Sequence, residues 1–490
     1  MCGIYGEFKI RQPNTNLERG MSSMYHRGHN GGGFAQFIEG NRIICEKDFD
    51  LKRLLAKREV PESKIIAQMG HTRWPTAGGN DKINMHPHFK SNPSYKIFVC
   101  VNGDLVNMQE QVEFLKRKDI KVISGNDGEM MCGSIFWQLD KQYKELKQVN
   151  LDQPVELDKT HIVKAIQKTM KYIKGAYSSL FMAEFDEALY GFRDPHGFRP
   201  MIIGMLESRY IICSETCQLD EVGARFLREV RPGEIVRISD EGLESFVGQK
   251  SKRKAFCSFE LLYFLRPDSN YHYVKKGKDQ VVPVDEVRYQ LGSQIGKEVK
   301  KKSKQRLLKA DIVVPVPRSG RPAAIGLSHE TGVPLREALI VKPRVFNPVG
   351  RTFIEADEGN RRNKARMKYK FIREVVQDKR IILVDDSLIR GLTMETLVEM
   401  AYEAGAKEVF VVIAAPKYLN PCYYGSDTKD ISKLVARDKR NDELIKSIGE
   451  PDELVYITLG GFKKVINAYT CGSCFACFDG DYAVPVPFLQ

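Results

Sequence analysis

A cysteine at position 2 is the residue with the clearest chemical potential in this sequence. Removal of Met1 would leave Cys2 with both a thiol and a free α-amino group. An α-amine titrates near pH ~8, far below a lysine, so it can accept a proton at neutral pH. A terminal nucleophile activated by its own amine is a known arrangement for acyl transfer. The start of the chain therefore predicts an N-terminal nucleophile, and an ordinary second residue is the alternative that these residues alone leave open.

Four glycine-containing segments before residue 130 carry further reactive side chains. Each lies in a turn-prone stretch beside an apolar run, where loops on a rigid sheet commonly place functional groups. They are residues 26–28 (HRG), 70–78 (GHTRWPTAG), 101–107 (VNGDLVN) and 126–129 (NDGE). Together with the Cys2 start they resemble, over residues 2–235, the class II glutamine amidotransferases, which are N-terminal-nucleophile hydrolases.

This resemblance implies an α+β sandwich in which two antiparallel sheets lie between two helical layers (αββα). It also implies that Cys2 attacks the side-chain amide of glutamine. The Asn102 side chain and the Gly103 backbone N–H would form the oxyanion hole, which typically lowers the barrier by ~3–4 kcal/mol per donor. Asn-Gly is also a hairpin-turn signal in its own right, which is the plain alternative for this pair.

The same resemblance assigns the side chains that bind glutamine. Arg73 would hold the α-carboxylate, because a guanidinium presents a planar fork of donors. Asp127 would hold the α-ammonium, and Arg27 would brace the loop that carries the nucleophile. A single arginine or aspartate at any of these positions could be a solvated residue, but their order after the Cys2 start favours the functional interpretation.

A second group of candidates follows a β-branched run at residues 380–384 (RIILV), which predicts a buried strand. Asp385 and Asp386 come next, then a Ser/Gly/Thr loop, apolar residues at helical spacing, and a second strand over residues 407–415. This order is typical of an open parallel sheet, which binds ligands at the carboxyl ends of its strands. A helix amino terminus there can bind phosphate, whereas adjacent carboxylates suit ribose hydroxyls and a divalent cation. A solvated turn is the alternative for an isolated Asp-Asp pair.

The segment closely resembles the phosphoribosylpyrophosphate motif of type I phosphoribosyltransferases, which implies an α/β domain with a parallel sheet. The resemblance gives Asp385 and Asp386 the ribose diol and Mg²⁺, and it gives the loop after them the 5-phosphate. Residues 313–322 match the family's pyrophosphate loop in position, and residues 349–354 resemble the start of a lid. The remaining candidate contacts to phosphoribosylpyrophosphate are Ser387, Arg390, Gly391, Thr393, Arg318, Ser319, Gly320 and Arg351.

Three departures from these families leave a paralogue with altered activity open. Arg318 stands where the phosphoribosyltransferase family usually has an acidic residue. The lid stretch 355–360 (EADEGN) is unusually acidic. Residues 84–88 (NMHPH) resemble glutamine:fructose-6-phosphate amidotransferase instead.

Eleven cysteines without a signal peptide argue against a disulfide framework. Cys474 and Cys477 form a Cys-x-x-Cys pair, with Cys257 and Cys422 as candidate partners, and the spacing typical of a zinc ribbon is absent. The surroundings of all four resemble the iron–sulfur-containing amidophosphoribosyltransferases. That resemblance implies a [4Fe–4S] cluster held by four thiolates, and four buried thiols are the alternative.

The charge and composition of the chain limit its expected partners and its expected compartment. The net charge of +13 suits anionic partners such as phosphorylated metabolites. No nucleic-acid-binding motif is recognisable, and no apolar run is long enough to span a membrane. The predicted compartment is the cytoplasm.

We therefore expect a glutamine amidotransferase domain over residues 2–240 and a phosphoribosyltransferase domain with a cluster-binding tail over residues 255–490. The family resemblance implies amination of 5-phosphoribosyl 1-diphosphate to 5-phosphoribosylamine in purine biosynthesis, with Mg²⁺ as cofactor, by a homo-oligomer that is a tetramer in this family. Three alternatives remain open: a paralogue that aminates another phosphosugar, a sugar-phosphate isomerising amidotransferase, and a non-catalytic phosphoribosylpyrophosphate sensor.

Overall fold

The computed structural model describes residues 1–10, 15–40, 42–56, 64–74, 79, 81–149, 155–275, 277–301, 305–343 and 365–486. The chain divides into two compact units. The first unit holds Met1–Cys257, Tyr423–Asp427 and the segment that begins at Tyr482. The second unit holds Ser258–Cys422 and Thr428–Asp481. No helix in these described ranges has both the length and the apolar character that a membrane crossing requires.

The first unit is built on two antiparallel sheets. Its strands are β1 Gly3–Phe8, β2 Gly32–Ile38, β3 Arg42–Asp48, β4 Ile65–Thr72, β5 His88–Ser91, β6 Lys96–Leu105, β7 Gly175–Ala183, β8 Asp186–Arg193, β9 Ile202–Leu206, β10 Arg209–Cys213, β11 Arg225–Glu229, β12 Glu234–Ser239, β13 Gly242–Val247 and β14 Phe256–Cys257. A seven-stranded sheet has the order β11-β9-β10-β1-β4-β2-β3, and a six-stranded sheet has the order β13-β12-β8-β7-β6-β5.

Helices cover the outer face of each sheet. They are α1 Asn16–Ser22, α2 Leu51–Ala56, α3 Met108–Arg117, α4 Asp127–Val149, α5 Lys159–Tyr172 and α6 Thr216–Val222, with a 3-10 turn at Lys82–Asn84. Neighbouring residues of β1 show the layering, because successive side chains of a strand face opposite sides. Ile4 belongs to the core between the two sheets, whereas Tyr5 packs with Leu17 and Met21 of α1. The first unit is therefore an αββα sandwich, and β1 is buried on both faces.

The six-stranded sheet shows the same alternation. Cys100 of β6 belongs to the core between the sheets, whereas Val99 and Val101 pack with Ile135 of α4 and Ile166 of α5. A strand buried on both faces needs a continuous apolar run, and residues 97–101 (IFVCV) supply one. This run fixes β6, and the polar residues Asn102 and Gly103 follow within the same strand.

Two late segments of the chain also belong to the first unit. The ring of Tyr424 stacks on Phe198 with 4.2 Å between ring centroids. The Tyr424 hydroxyl donates to the Val484 carbonyl at 2.8 Å and accepts from the Val484 N–H at 2.9 Å. The predicted second domain includes these late segments. The predicted domain limits, 2–240 and 255–490, stay a prediction.

The second unit contains a four-stranded parallel sheet with the order β17-β20-β21-β22. Its strands are β15 Asn270–Lys275, β16 Lys278–Pro283, β17 Ile312–Pro315, β18 Leu339–Val341, β19 Tyr369–Phe371, β20 Arg380–Asp385, β21 Glu408–Ile413, β22 Glu453–Tyr456 and β23 Ser473–Cys474. Its helices are α7 Val284–Lys301, α8 Gln305–Leu308, α9 Arg321–Thr331, α10 Arg373–Val376, α11 Leu392–Glu403, α12 Asn441–Lys446, α13 Leu459–Ile466 and α14 Ala476–Asp479, with a π turn at Glu260–Phe264 and a 3-10 turn at Ile431–Lys433.

Candidate active sites

Cys2 lies immediately before β1, next to the end of β4. Strand pairing sets Gly3 opposite Thr72. The Cys2 thiol donates to the Trp74 carbonyl at 3.6 Å, and the Trp74 N–H donates to the Cys2 sulfur at 3.5 Å. The backbone just after β4 therefore holds the predicted nucleophile in place, and Cys2 is only 9% exposed.

Arg73 lies between Thr72 and Trp74, and its side chain is buried. Its Nη2 donates to the Gly79 carbonyl at 2.6 Å. Burial lowers the pKa of Arg73 from its ordinary value, while the nearby Cys2 and Asp127 act in the opposite direction. The structure thus brings three of the predicted residues, Cys2, Arg73 and Asp127, into one electrostatic neighbourhood.

Asp127 is the first residue of α4, where an acidic side chain is favoured by the helix dipole. Its carboxylate accepts from the Gly128 N–H at 2.9 Å, and the Asn126 side chain accepts from the same N–H at 2.7 Å. Gly128 has no room for a side chain, because an added Cβ would lie 2.1 Å from Cε1 of His86. Close packing therefore fixes the start of α4 and the carboxylate that it carries.

Asn102 has the most informative environment in the first unit. Its side chain is fully buried, and neither its Oδ1 nor its Nδ2 has a hydrogen-bond partner among the described residues. Leaving a buried amide unsatisfied typically costs ~1–3 kcal/mol per group, so such a group calls for an explanation. Gly103 beside it must be glycine, since a Cβ would lie 1.9 Å from the Ala176 carbonyl oxygen. This pair fits the predicted oxyanion hole, because an incoming oxyanion would accept a hydrogen bond from Nδ2 of Asn102.

Arg27 makes a contact that sequence reasoning missed. Its Nε donates to the buried carboxylate of Glu215, just before α6, and His26 bonds to the same oxygen at 2.8 Å. The adjacent Ser214 hydroxyl accepts from the Ile4 N–H at 3.0 Å. Arg27 is thus linked to β1 through the Ser214–Glu215 segment. The sequence signal for Glu215 is weak, because 188 residues separate the partners.

In the second unit, Asp385 ends β20 at the carboxyl edge of the parallel sheet. The Asp386 N–H donates to the Asp385 carboxylate at 2.9 Å, and the Ser387 hydroxyl donates to Asp386 at 2.6 Å. Burial, and next the neighbouring Asp386 charge, raise the pKa of Asp385 well above its ordinary value. Ribose hydroxyls or a divalent cation would relieve this crowding of carboxylates, so the pair fits the predicted Mg²⁺ ligands.

The predicted pyrophosphate loop lies against the same carboxylate. The Ser319 hydroxyl donates to Asp385 at 3.3 Å. Gly320 packs so tightly on β20 that a Cβ would lie 2.1 Å from the Val384 carbonyl oxygen. Arg318 is exposed to solvent. The structure therefore brings Ser319 and Gly320 to the aspartate pair and leaves the Arg318 side chain at the surface.

The predicted phosphate loop leads into the twelve-residue helix α11. Gly391 caps this helix with φ +85°, a conformation that favours glycine. Thr393 lies in the first turn, and Arg390, just before the cap, is partly buried. A helix amino terminus beside the carboxyl edge of a parallel sheet is suited to bind phosphate. Arg351 and the rest of the predicted lid lie outside the described residues.

The four cysteines of the predicted cluster are spread over both units. Cys257 belongs to the first unit, and Cys422, Cys474 and Cys477 belong to the second. Within the second unit, the Cys477 carbonyl accepts from the Leu419 and Asn420 N–H groups at 2.9 and 3.0 Å. All eleven cysteines are described, and all are thiols.

No group of three or more His, Cys, Asp or Glu side chains in the described part of the chain is arranged to hold a metal ion. The [4Fe–4S] cluster therefore stays a prediction. Backbone bonds nevertheless draw the Cys422 and Cys477 segments together, and Cys474 is buried.

The two units thus define a class of protein: an N-terminal-nucleophile amidotransferase fold joined to a phosphoribosyltransferase fold with a parallel sheet. Residues 288–448 match the family model of the phosphoribosyl transferase domain. The solved structure of glutamine phosphoribosylpyrophosphate amidotransferase from B. subtilis, complexed with ADP and GMP, superimposes with a TM-score of 0.82 at 31% identity and covers 100% of both chains.

Sequence relatives extend along the whole chain. The amidophosphoribosyltransferase of Synechococcus elongatus is 34% identical over 500 residues, covering 99% of this chain and 92% of the relative. That of Methanocaldococcus jannaschii is 34% identical over 506 residues, covering 100% and 98%. This chain belongs to the amidophosphoribosyltransferase family. The predicted family and fold class are confirmed, and the iron–sulfur subtype stays a prediction.

Proposed function

We propose that this chain transfers the amide nitrogen of glutamine to 5-phosphoribosyl 1-diphosphate, and that it forms 5-phosphoribosylamine, glutamate and pyrophosphate in the first step of de novo purine biosynthesis. The observation that carries the proposal is a buried thiol at position 2 in the same unit as a buried amide that has no partner among the described residues. The other unit carries a carboxylate pair at the edge of a parallel sheet. Each unit supplies the polar groups that one half of the reaction needs.

The amide half begins once Met1 is removed. The α-amine of Cys2 takes the thiol proton, and the sulfur attacks the side-chain carbonyl carbon of glutamine. Asn102 and the Gly103 N–H stabilise the oxyanion of the tetrahedral intermediate. Collapse of the intermediate breaks the C–N bond, and the ammonium form of the Cys2 amine protonates the leaving nitrogen, which departs as ammonia. Water then hydrolyses the thioester and releases glutamate.

Substrate orientation in the amide half depends on two charged residues. Arg73 is buried and carries the donors for the α-carboxylate of glutamine. Asp127 at the start of α4 accepts the α-ammonium. Arg27 acts indirectly, since its pairing with Glu215 braces the segment that bonds to β1.

In the phosphoribosyl half, ammonia attacks C1 of the ribose while the C1–O bond to pyrophosphate breaks. Asp385 and Asp386 would hold the ribose diol and Mg²⁺, and the cation would neutralise charge on the pyrophosphate. The loop from Ser387 to Thr393, which includes Arg390 and Gly391, would bind the 5-phosphate at the start of α11. Ser319 and Gly320, with Arg318 and the lid residue Arg351, would surround the pyrophosphate.

A structural [4Fe–4S] cluster on Cys257, Cys422, Cys474 and Cys477 is part of the proposal. Anaerobically purified protein should then be brown and should contain iron close to four atoms per chain. Colourless protein, or protein loaded with zinc, would contradict the cluster.

The proposed compartment is the reducing cytoplasm, in which thiols persist. The tetrameric state stays a prediction.

The test is glutamine-dependent release of pyrophosphate from 5-phosphoribosyl 1-diphosphate. Release that requires both substrates and Mg²⁺ is the expected result. Hydrolysis of glutamine without release of pyrophosphate would contradict the transferase half.

The exposed Arg318 favours one second candidate, amination of a different phosphosugar. A screen of phosphorylated sugar acceptors separates the two, because the second candidate requires faster turnover with another acceptor.

A further inference from the structure

Three buried histidines lie together in the first unit, and the mechanism above uses none of them. His71 belongs to β4, His86 directly precedes the Pro87–His88 step, and His88 opens β5. The rings of His71 and His86 stack with 4.1 Å between centroids, and those of His86 and His88 meet edge to face at 4.7 Å. His71 and His86 form the stacked pair, and these two rings also form hydrogen bonds to the backbone of β6.

Two of these rings bind both polar backbone groups of Val101. Nε2 of His71 donates to the Val101 carbonyl at 3.0 Å, and the Val101 N–H donates to Nδ1 of His86 at 3.2 Å. The β5–β6 ladder ends at the pair His88–Val99. Val101 lies two residues beyond Val99, so its N–H and carbonyl face the same edge of β6. Among the described residues Val101 has no strand partner on that side, and the two imidazoles take that place.

The two hydrogen bonds require neutral rings with defined tautomers. His71 must carry its proton on Nε2, whereas His86 must leave Nδ1 unprotonated to accept from Val101. Burial supports this state, since it lowers the pKa of His71 to about 3 and that of His86 well below its ordinary value. The same two rings could not form these bonds in a solvated, rotating arrangement.

Val101 directly precedes the predicted oxyanion residues Asn102 and Gly103. The histidines also adjoin the chain segments that carry Asp127 and Arg73. His86 packs against Gly128 at the start of α4, one residue after Asp127. His71 lies two residues before Arg73 on the same chain segment. The imidazole pair is thus adjacent to the backbone at Val101, at Gly128 and just before Arg73.

We propose that His71 and His86 are positioning residues for amide hydrolysis: they fix the Val101 peptide and thereby align Asn102 and Gly103 with the developing oxyanion. This inference rests on the proposed glutamine hydrolysis. Alignment with the oxyanion affects the transition state more than bound glutamine, so loss of the Val101 bonds lowers kcat and leaves KM nearly unchanged. The ammonia-driven reaction in the other unit is independent of these bonds.

Paired substitutions at His86 and His71 test the role of the hydrogen bonds. His86→Asn keeps an acceptor near the place of Nδ1, and His71→Gln keeps a donor near the place of Nε2. His86→Leu and His71→Leu remove these groups. The matched control is His88→Leu, since Nε2 of His88 is buried without a partner among the described residues and His88 is not bonded to Val101.

The measurements are kcat and KM for glutamine hydrolysis, with thermal unfolding of the whole chain as the measure of folding and ammonia-driven pyrophosphate release as the control for the other unit. We expect the two Leu variants to lose about 10²-fold in kcat, as expected for a misplaced oxyanion donor. The Asn and Gln variants should stay within about tenfold of the original chain, and so should His88→Leu.

An equal loss of kcat in the Leu variant and its hydrogen-bonding counterpart would overturn the inference, and so would a loss that is confined to KM. A Leu variant that loses the thermal unfolding transition of the original chain has unfolded, and the Asn and Gln variants then decide, because the inference requires them to keep kcat. If the original chain hydrolyses no glutamine, the proposed function fails; if it does and His86→Leu has unchanged kcat, only the positioning role fails.

Discussion

In the first unit, Cys2 directly precedes a strand that is buried on both faces and Asn102 lies on another, whereas in the second unit Asp385 and Asp386 lie where a parallel strand ends. The first site keeps a neutral amide that has no hydrogen-bond partner in the part of the chain that the structure describes. The second site instead crowds two carboxylates, and burial raises the pKa of Asp385. The amide site therefore depends on exact backbone placement, and the phosphoribosyl site depends on charge that a ligand or cation must balance.

This difference has a physical origin in the substrates. A glutamine side chain is neutral and acquires charge only in the transition state, so its site benefits from fixed donors that are already in place. Phosphoribosylpyrophosphate carries its charge from the outset, so its site needs carboxylates for the diol and cation, and a helix amino terminus for phosphate. Substitutions should therefore affect the two half-reactions separately.

The largest effect is expected for Cys2→Ala. Glutamine-dependent activity should fall by at least about 10⁴-fold, since the nucleophile itself is lost. Ammonia-driven pyrophosphate release should persist, because that reaction uses the other unit. Both rates can be measured on one preparation, and glutamine-driven turnover close to the original rate would contradict the assignment of the nucleophile.

Asn102→Ala should lower kcat for glutamine hydrolysis by about 10²–10³-fold, the usual effect of removing one oxyanion donor. Its stability should change little or increase, since the amide has no partner to lose in the described part of the chain. Thermal unfolding and steady-state kinetics check both statements. A strongly destabilised variant would show that Asn102 has a structural role instead.

A pair of glycine substitutions separates the two sites. Gly103→Ala and Gly320→Ala would place a Cβ at 1.9 and 2.1 Å from backbone carbonyl oxygens, and the forced displacement should cost about 10²-fold in rate. Gly103→Ala should reduce glutamine hydrolysis alone, whereas Gly320→Ala should reduce the ammonia-driven reaction. Gly460→Ala is the control, because nothing lies within 4 Å of its added Cβ. Equal loss of both reactions in both variants would contradict the assignment of Gly103 and Gly320 to separate sites.

Asp385→Asn should abolish pyrophosphate release and yet raise the melting temperature of ligand-free protein by a few degrees, roughly what ~1 kcal/mol produces. The reason is that the substitution removes a partly buried, ionisable carboxyl beside Asp386, and both its repulsion by Asp386 and its desolvation act against folding. Calorimetry without Mg²⁺ is the measurement. A lower melting temperature would show that the carboxylate pair is not strained.

The smallest effect is expected at the opposite edge of the parallel sheet, where Asp311 bonds to the Arg380 guanidinium at 2.9 Å. That hydrogen bond is the main cause that lowers the pKa of Asp311 to about 2. A depressed carboxyl pKa stabilises the fold above its unfolded value near ~4, and the contribution is lost as pH falls from ~4 to ~2. Because both side chains are about one-third exposed, Asp311→Asn should cost at most ~1 kcal/mol at neutral pH. Activity should be unchanged, and denaturant unfolding at pH 7 and near pH 2 checks the sign.

Local signals explain what the sequence could predict. Residues 380–384 and 407–415 predicted two strands, and the structure has β20 over Arg380–Asp385 and β21 over Glu408–Ile413. Cys2, Arg73, Asn102 and Asp127 stood out because each lies in a short segment whose residue types already suggest its chemistry. The structure places all four in the first unit, and their individual roles stay predictions.

Long-range pairings explain what the sequence could not predict. Glu215 meets Arg27 across 188 residues, and His86 reaches Val101 because β5 begins only at His88. The order of the seven-stranded sheet and the return of Tyr424 to the first unit depend on contacts of the same kind. No local pattern of spacing or composition encodes such partners, since either member alone is compatible with a solvated position.

The central claim is that nitrogen released at Cys2 becomes the amine on the ribose. The most direct measurement supplies glutamine labelled with ¹⁵N in its side-chain amide, together with 5-phosphoribosyl 1-diphosphate and Mg²⁺, and follows the label. We expect ¹⁵N bonded to C1 of the phosphoribosyl product, with one pyrophosphate formed per glutamate. Label found only in free ammonia, with 5-phosphoribosyl 1-diphosphate left intact, would contradict it.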